Sequence, residues 1–256
     1  MLRVAPVPAC RDNYIWVMHD DVSAAVVDPG DARPVLNFLS AQKLQLTAIL
    51  NTHHHADHVG GNAELLRHFP VPVYGPRNEP IAQLTHRLAE GDRVDLTPLD
   101  LTLEVLDIPG HTAGHIAFHG GGYLFCGDTL FACGCGRLFE GTAAQMLNSL
   151  GKLSRLAPET EVYCGHEYTQ ANIRFARRVE PDNQALRERE IREAKKRAAD
   201  LPTLPTTLGL ECVTNPFLRC DHASVSGAVA AEAGISLNGV VPVFAALREW
   251  KNHFQG

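Results

Sequence analysis

The chain has 256 residues, an apolar content of 45% and a net charge of -6 at pH 7. This composition is typical of a globular protein and argues against general attraction to nucleic acids or membrane surfaces. The first residues form no apolar signal segment, and no stretch approaches the ~20 apolar residues of a spanning helix. We therefore expect a cytoplasmic protein that binds neither nucleic acid nor membrane.

Short β-rich runs alternate with Gly and Pro in the first two thirds of the chain and predict strands over residues 14–18, 24–27, 46–50, 71–74, 103–108, 123–126 and 162–164. Helices are predicted between them, over residues 32–42, 62–68 and 143–156. After residue 166 the composition changes, and helices are predicted over residues 183–200, 222–232 and 240–250, with a Pro-rich connector after the first. We predict a β-rich domain over residues 1–166 and a helical domain over residues 167–256.

Seven metal-capable side chains lie just beyond four of the predicted strands: His53, His55, Asp57, His58, His111, Asp128 and His166. We expect these four strand ends to meet at one edge of a sheet. Imidazole and carboxylate groups suit zinc, iron or manganese. Seven ligands are too many for one tetrahedral ion, so the pattern predicts two ions with one bridging carboxylate, for which we choose Asp128.

Other residues in or near this pattern have structural interpretations. His54 points away from its neighbours if the local chain is extended, which favours a packing or supporting role. His115 has two open interpretations, as a partner of a metal ligand or as an ordinary strand residue. Cys133 and Cys135 are separated by one residue, unlike the two-residue spacing of zinc-ribbon or redox sites, and are predicted to be structural. The odd total of seven cysteines predicts unpaired thiols.

Four segments resemble the metallo-β-lactamase superfamily: Thr-His-His-His-Ala-Asp-His at residues 52–58, Pro-Gly-His-Thr at 109–112, Gly-Asp at 127–128 and Gly-His at 165–166. Residues 12–14, 136–142, 162–169 and 215–219 narrow the resemblance to the glyoxalase II family, the hydroxyacylglutathione hydrolases. The resemblance spans nearly the whole chain. It implies an α+β fold, a metallo-β-lactamase-like αββα sandwich with a small, all-helical C-terminal domain.

The same resemblance implies a role for each motif residue. It places His53, His55 and His111 on a first metal, places Asp57, His58 and His166 on a second, and sets Asp128 between the two ions. Zinc is the expected metal, with iron or manganese as alternatives. The glutathione contacts that it implies are Arg137, Phe139, Tyr168, Arg248 and Lys251. Two positions depart from the family, because Asn252 stands where Asp is usual and Phe139 lacks the hydroxyl that some members carry.

The activity implied by the resemblance is hydrolysis of S-(2-hydroxyacyl)glutathione thioesters, with S-D-lactoylglutathione as the expected substrate and glutathione and D-lactate as products. This reaction is the second step of methylglyoxal detoxification. A hydroxide bridging the two metals would attack the thioester, and Asp57 and Asp128 are the expected catalytic residues. A monomer is expected. No Gly-x-Ser-x-Gly nucleophile elbow is present, which argues against a serine hydrolase.

Four rival functions remain open on the same fold or outside catalysis. A persulfide dioxygenase would use one iron and three protein ligands, which the set of seven disfavours. A β-lactamase or lactonase would not need the glutathione-binding tail, and a nucleic-acid-processing enzyme would be expected to have a basic surface. A non-catalytic metal-binding protein would keep the ligands without the chemistry. Metal content and esterase activity would separate these alternatives.

Overall fold

In the computed structural model, which describes residues 2–255, the strands form two six-stranded sheets and one small hairpin. The first sheet has the strand order β1-β2-β3-β4-β5-β6. Its strands are β1 (Arg3–Ala9), β2 (Asn13–His19), β3 (Ser23–Val27), β4 (Gln45–Leu50), β5 (Val73–Pro76) and β6 (His86–Leu88). The pairs β1–β2 and β2–β3 are antiparallel, and the strands from β3 to β6 are parallel.

Parallel neighbours need crossover connections, and helices supply two of them. Helix α1 (Ala32–Gln42) joins β3 to β4, and α2 (Ala56–Val59) and α3 (Asn62–His68) lie between β4 and β5. Helix α1 begins after Asp31, whose side chain accepts a hydrogen bond from the backbone N–H of Arg33. Apolar residues of α1 and α3 pack in one core with β1 to β5, so these helices cover a face of the first sheet.

The second sheet has the strand order β14-β13-β10-β9-β8-β7. Its strands are β7 (Arg93–Leu96), β8 (Leu101–Asp107), β9 (Ile116–Gly120), β10 (Tyr123–Gly127), β13 (Glu161–Cys164) and β14 (Thr206–Thr207); the hairpin is β11 (Leu130–Phe131) with β12 (Gly134–Cys135). In β8 the residues alternate between buried and exposed over its first five positions, as expected for a strand with one face on a core. The turn between β9 and β10 uses Gly121 and Gly122, both at positive φ.

The two sheets pack against each other through a buried indole. Trp16 of β2 lies edge-on to Tyr163 of β13, with ring centroids 4.8 Å apart, and its Nε1–H donates to the Cys164 carbonyl at 2.9 Å. The backbone N–H of Tyr14 also donates to Gly165 O at 2.9 Å. The predicted αββα sandwich is confirmed.

The expectation that the ligand-bearing strands end at one edge of a single sheet is wrong. Strand β4 belongs to the first sheet, whereas β8, β10 and β13 belong to the second. The ligand segments therefore come from both layers. Strand periodicity reports which residues face a core but does not report which sheet a strand joins.

The helices of the C-terminal part are close to the predicted ones, with two additions over residues 169–179 and 208–214. They are α4 (Ala143–Leu153), α5 (Thr169–Val179), α6 (Gln184–Ala198), α7 (Leu208–Thr214), α8 (Ala223–Ala233) and α9 (Val240–His253). Helix α4 starts with a capping box between Thr142 and Gln145 and ends three residues before the predicted end. The Pro-rich connector is not only a loop, because it contains β14 and α7.

The chain divides into two compact units, each built from several segments. The first contains the chain up to Asp107, Ala113–Gly127 and Tyr163–His166, and the second contains Ile108–Thr112, Asp128–Val162 and the chain from Glu167 onward. The domain division into residues 1–166 and 167–256 stays a prediction. Within residues 2–255, no helix combines the length and the apolar character needed to cross a bilayer.

Candidate metal centre

Three of the predicted ligands converge in the first unit. Each of Asp57, His58 and His166 offers a ligand atom within 4.8 Å of the other two. The Nε2 atoms of His58 and His166 lie 3.6 and 3.5 Å from the same oxygen, Asp57 Oδ2. Two imidazoles and one carboxylate that meet in this way form a donor set suited to a divalent transition metal.

The opposite nitrogen of each of these two rings is held by a carboxylate. His58 Nδ1 lies 3.1 Å from Asp28 Oδ2, and His166 Nδ1 lies 2.8 Å from Asp12 Oδ1. Such contacts fix the tautomer, so that Nδ1 carries the proton and Nε2 presents its lone pair towards Asp57. The protein partners of both rings therefore leave their Nε2 atoms available to a metal ion.

Asp57 is itself fixed by a neighbouring amide. The Asn13 side chain donates to Asp57 Oδ2 at 3.0 Å and to the Asp57 carbonyl at 3.3 Å. Asn13 also forms a β-bridge with His166. The first residue of β2 thus supports two of the three converging residues.

His53 and His55 form a second pair of donors in the same loop. Nε2 of His53 lies 3.2 Å from Nδ1 of His55. The Thr52 hydroxyl donates its only proton to Asp28 Oδ2 at 2.7 Å. The same hydroxyl lies 3.0 Å from His53 Nδ1, from which it therefore accepts a hydrogen bond. This leaves His53 Nε2 with a lone pair directed towards His55.

His115 lies directly before β9, next to a predicted ligand. Its ring stacks on that of His53, with centroids 4.5 Å apart and an interplanar angle of 16°. Its Nδ1 lies 3.0 Å from the carbonyl of Ile116. His115 therefore packs against a predicted ligand.

Asp28 is a residue of this site that sequence analysis missed. It is buried and accepts hydrogen bonds from the backbone N–H and hydroxyl of Thr52, both at 2.7 Å, in addition to its contact with His58. The signal available in the sequence was an acidic residue directly after a predicted strand, followed by Pro29 and Gly30. One carboxylate thus supports His58 directly and His53 through Thr52.

Replacing Asp28 with Asn is expected to weaken zinc binding by about 10- to 100-fold, because an amide nitrogen would face one of the donors that the carboxylate accepts. Asn tolerates the positive φ of 52° at this position, so the backbone need not change. Competition with a chelator would measure the affinity. Asp95→Asn, an exposed carboxylate in β7, is the control, and equal affinities for the two variants would contradict this role.

The remaining two predicted ligands lie together in the second unit. His111 Nε2 is 3.5 Å from Asp128 Oδ2, and both residues are buried. His111 Nδ1 lies 2.9 Å from the carbonyl of Arg137, to which it donates. Gly136 allows this approach, since a Cβ there would lie 3.1 Å from His111 Nδ1 and 1.9 Å from Asp128 O.

The hairpin of β11 and β12, which lies between Asp128 and Arg137, is held by polar side chains of the helical region. Asn215 Nδ2 donates to the carbonyls of Phe131 and Gly134 at 3.1 and 2.9 Å. Glu211 accepts the backbone N–H of Cys133 at 2.8 Å. Burial raises the pKa of the Cys133 thiol to about 12, which agrees with its predicted structural role.

Glu211 is paired with a buried cation. Arg189 Nη2 lies 2.6 Å from Glu211 Oε1, and both side chains are almost fully buried. The guanidinium also donates to Thr206 and Thr214, at 3.0 and 2.6 Å. The ion pair and its hydrogen bonds thus connect α6 and α7 to the hairpin.

Four basic residues of the second unit form a cationic cluster, Arg137, Arg174, Arg248 and Lys251. Burial and the positive charges of the three arginines together lower the pKa of Lys251 to about 8. Lys251 Nζ donates to the Ala171 carbonyl at 3.2 Å. Four positively charged side chains grouped in this way are suited to bind an anion.

The tail residue Asn252 orients Arg248. Arg248 Nε donates to Asn252 Oδ1 at 3.3 Å, and Nη1 donates to the Cys135 carbonyl at 2.8 Å. Arg248 is 5% exposed and its guanidinium lies over the ring of Phe217. Arg248 is therefore fixed in place and also supports the hairpin.

The two predicted aromatic contacts lie in the second unit as well. Phe139 is 62% exposed and its ring lies 5.2 Å from that of His111. Tyr168, at the start of α5, is partly exposed and lies edge-on to Phe131. Both rings are accessible enough to contact a ligand.

Both parts of the chain match known family models. Residues 9–166 match the metallo-beta-lactamase superfamily, and residues 167–254 match the hydroxyacylglutathione hydrolase C-terminus. Among curated relatives, the chain is 56% identical to the hydroxyacylglutathione hydrolase of Nitrosomonas europaea, covering 100% of this chain and 98% of that one. It is 54% identical to the enzyme of the same name from Cupriavidus taiwanensis, with 100% of both covered.

Solved structures show the same likeness. The chain is similar to TTHA1623 in a di-iron-bound form, with a TM-score of 0.60 and 28% identity over 84% of this chain and 100% of that one. It is also similar to ETHE1 from Myxococcus xanthus, with a TM-score of 0.66 over 98% of each chain. At 24% identity, this second likeness concerns the fold alone.

Proposed function

Because the chain belongs to the hydroxyacylglutathione hydrolase family of the metallo-β-lactamase superfamily, we propose that it hydrolyses S-(2-hydroxyacyl)glutathione thioesters. S-D-lactoylglutathione is the proposed substrate, with glutathione and D-lactate as products. The observation that carries the proposal is the convergence of His58 and His166 on Asp57 in a chain whose helical region bears a cationic cluster. The first feature suits a metal-dependent hydrolase and the second suits an anionic tripeptide.

His/Asp clusters on this fold support a divalent metal. We assign His53, His55 and His111 to one ion and Asp57, His58 and His166 to a second, with Asp128 between them. The imidazole tautomers and the supporting carboxylates fit this assignment. We propose zinc, although the similar protein TTHA1623 was solved with two irons and the same donors accept both metals.

Two divalent ions would lower the pKa of a water molecule and polarise the thioester carbonyl. The protein residues orient these groups. Asn13 holds the Asp57 carboxylate, and Asp12 and Asp28 keep the proton of two imidazoles on Nδ1. The leaving thiol has a pKa near 8.5 by the free-cysteine reference, so it can depart as a thiolate without a general acid.

The cationic cluster is proposed to bind the carboxylates of glutathione. Arg248 and Lys251 supply charge, with Arg137 and Tyr168 as further contacts, and Phe139 offers a ring without a hydroxyl. Asn252 orients Arg248 rather than Lys251, so the departure from the family Asp leaves Lys251 to be placed by the Ala171 carbonyl.

Hydrolysis of S-D-lactoylglutathione by the purified protein, followed at the thioester absorbance, tests the proposed function. Turnover that a chelator abolishes, together with about two metals per chain by elemental analysis, is the expected result. Metal-loaded protein without turnover would contradict the thioesterase assignment. The same elemental analysis of protein purified without added metal would test the choice of zinc.

The KM for S-D-lactoylglutathione is expected to rise roughly tenfold between pH 7 and 9, because the competent protonated fraction of Lys251 falls above its pKa of about 8. The Lys251→Arg variant keeps its charge in this range, and its KM should stay flat. Lys251→Ala should raise KM with little change in kcat. If the KM values of the wild type and of Lys251→Arg changed with pH in the same way, binding of the substrate by the Lys251 charge would be excluded.

A further inference from the structure

A buried carboxylate that the proposed reaction does not use joins two loops of the first unit. Glu79 lies in the turn after β5 and is 3% exposed. Its Oε2 accepts the backbone N–H of His54 at 2.9 Å and also contacts Nδ1 of the His54 ring. Its Oε1 accepts the backbone N–H of Gly114 at 2.8 Å. Both oxygens are therefore used.

The two backbone groups that Glu79 binds belong to ligand-carrying segments. His54 lies between the proposed ligands His53 and His55, and Gly114 lies three residues after the proposed ligand His111. We propose that Glu79 is a positioning residue that fixes both segments for metal binding. The inference rests on the metal centre of the proposed function, but not on its substrate.

Local packing around Glu79 supports this role. A Cβ at residue 114 would lie 2.8 Å from Glu79 Cγ and 3.0 Å from Oε1, so only glycine lets the carboxylate approach this closely. The Glu79 carbonyl in turn accepts the backbone N–H of Ile81 at 2.9 Å. The backbone of Glu79 is thus tied within its own turn, while its carboxylate contacts the other two segments.

Glu79 also determines what the His54 ring does. Three consecutive histidines at residues 53–55 offer three competing imidazoles, and a flexible loop would let any of them bind an ion. The ring of His54 is turned to Glu79, whereas Nε2 of His53 faces Nδ1 of His55. Glu79 therefore withdraws the middle imidazole from the ligand set. Its loss would both loosen the loop and add a wrong ligand.

Glu79→Gln tests the proposal, because the amide has nearly the shape of the carboxylate but keeps only one acceptor oxygen. We expect zinc to dissociate to a chelator about 10- to 100-fold faster than from the wild type, with a melting temperature close to that of the wild type. We also expect a changed visible spectrum of the cobalt-substituted protein, as His54 enters the coordination sphere. Glu64→Gln, an exposed carboxylate in α3, is the matched control.

A second variant makes the experiment decisive. His54→Ala in the Glu79→Gln background removes the competing ring and should return the cobalt spectrum towards that of the wild type. Zinc release and a cobalt spectrum that match those of Glu64→Gln would overturn the proposal, whatever the melting temperature. Wild-type protein that binds two metals but does not hydrolyse the thioester would refute the proposed substrate while leaving the Glu79 readouts valid.

Discussion

Asp57→Ala is expected to lose metal and thioesterase activity together. Asp57 Oδ2 is the atom on which the Nε2 atoms of His58 and His166 converge, at 3.6 and 3.5 Å. Without that oxygen, the two imidazoles would keep their orienting partners but would lack the third donor of the group. The loss of kcat/KM should exceed the ~10- to 100-fold effect of removing a residue that only supports a ligand.

Metal content and kcat/KM measured on the same samples would test the Asp57 prediction. Asp57→Asn keeps the shape and one oxygen, so it should retain more metal than the alanine variant. Asp95→Ala removes an exposed carboxylate of the same unit and should leave both quantities unchanged. Full metal occupancy with normal turnover in Asp57→Ala would rule out the assigned role.

Breaking the buried ion pair between Arg189 and Glu211 is expected to cost about 3–5 kcal/mol of unfolding free energy. Arg189→Met would leave the Glu211 carboxylate buried without its cation, next to the backbone N–H of Cys133 that it still accepts. The loss of stability would affect the β11–β12 hairpin as well as helices α6 and α7. Urea unfolding at neutral pH would measure it.

A double variant separates the ion pair from simple loss of packing. Replacing both partners with apolar residues, as in Arg189→Met with Glu211→Leu, should cost less than Arg189→Met alone, because no uncompensated charge stays buried. Arg187→Met is the matched control, since Arg187 lies exposed on the same helix and its pair with Asp182 is worth about 0–1 kcal/mol. If Arg189→Met and the double variant had the same free energy of unfolding as the Arg187→Met control, the ion pair would be shown to contribute nothing to stability.

The proposed metal ligands could be selected from the sequence because their segments come after strands and because the chemistry restricts the residue types. His53, His55, Asp57 and His58 are also close in sequence, so a local pattern contains them. The supporting carboxylates were not predictable in the same way. Glu79 is 25 residues from the His54 that it contacts, and an isolated acidic residue in a turn carries no metal-binding pattern.

The layers of the fold could be predicted from the sequence, but the pairing of strands into sheets could not. Apolar runs identified strands such as β4 and β10, and yet nothing in either run indicated that they join different sheets. Helix α7 was missed because Pro205 and Pro216 flank it and made the segment resemble a loop. Its start is nevertheless capped by Thr207, whose side chain accepts from Leu210 N.

The dependence of the β11–β12 hairpin on Asn215 sets an order of events during synthesis. Asn215 follows Phe131, whose carbonyl it binds, by 84 residues. At about 5–20 residues per second, the ribosome needs roughly 4–17 s to add that length of chain. Until then the carbonyls of Phe131 and Gly134 lack this donor. The hairpin between Asp128 and Arg137 can therefore acquire these two hydrogen bonds only after residue 215 has been synthesised.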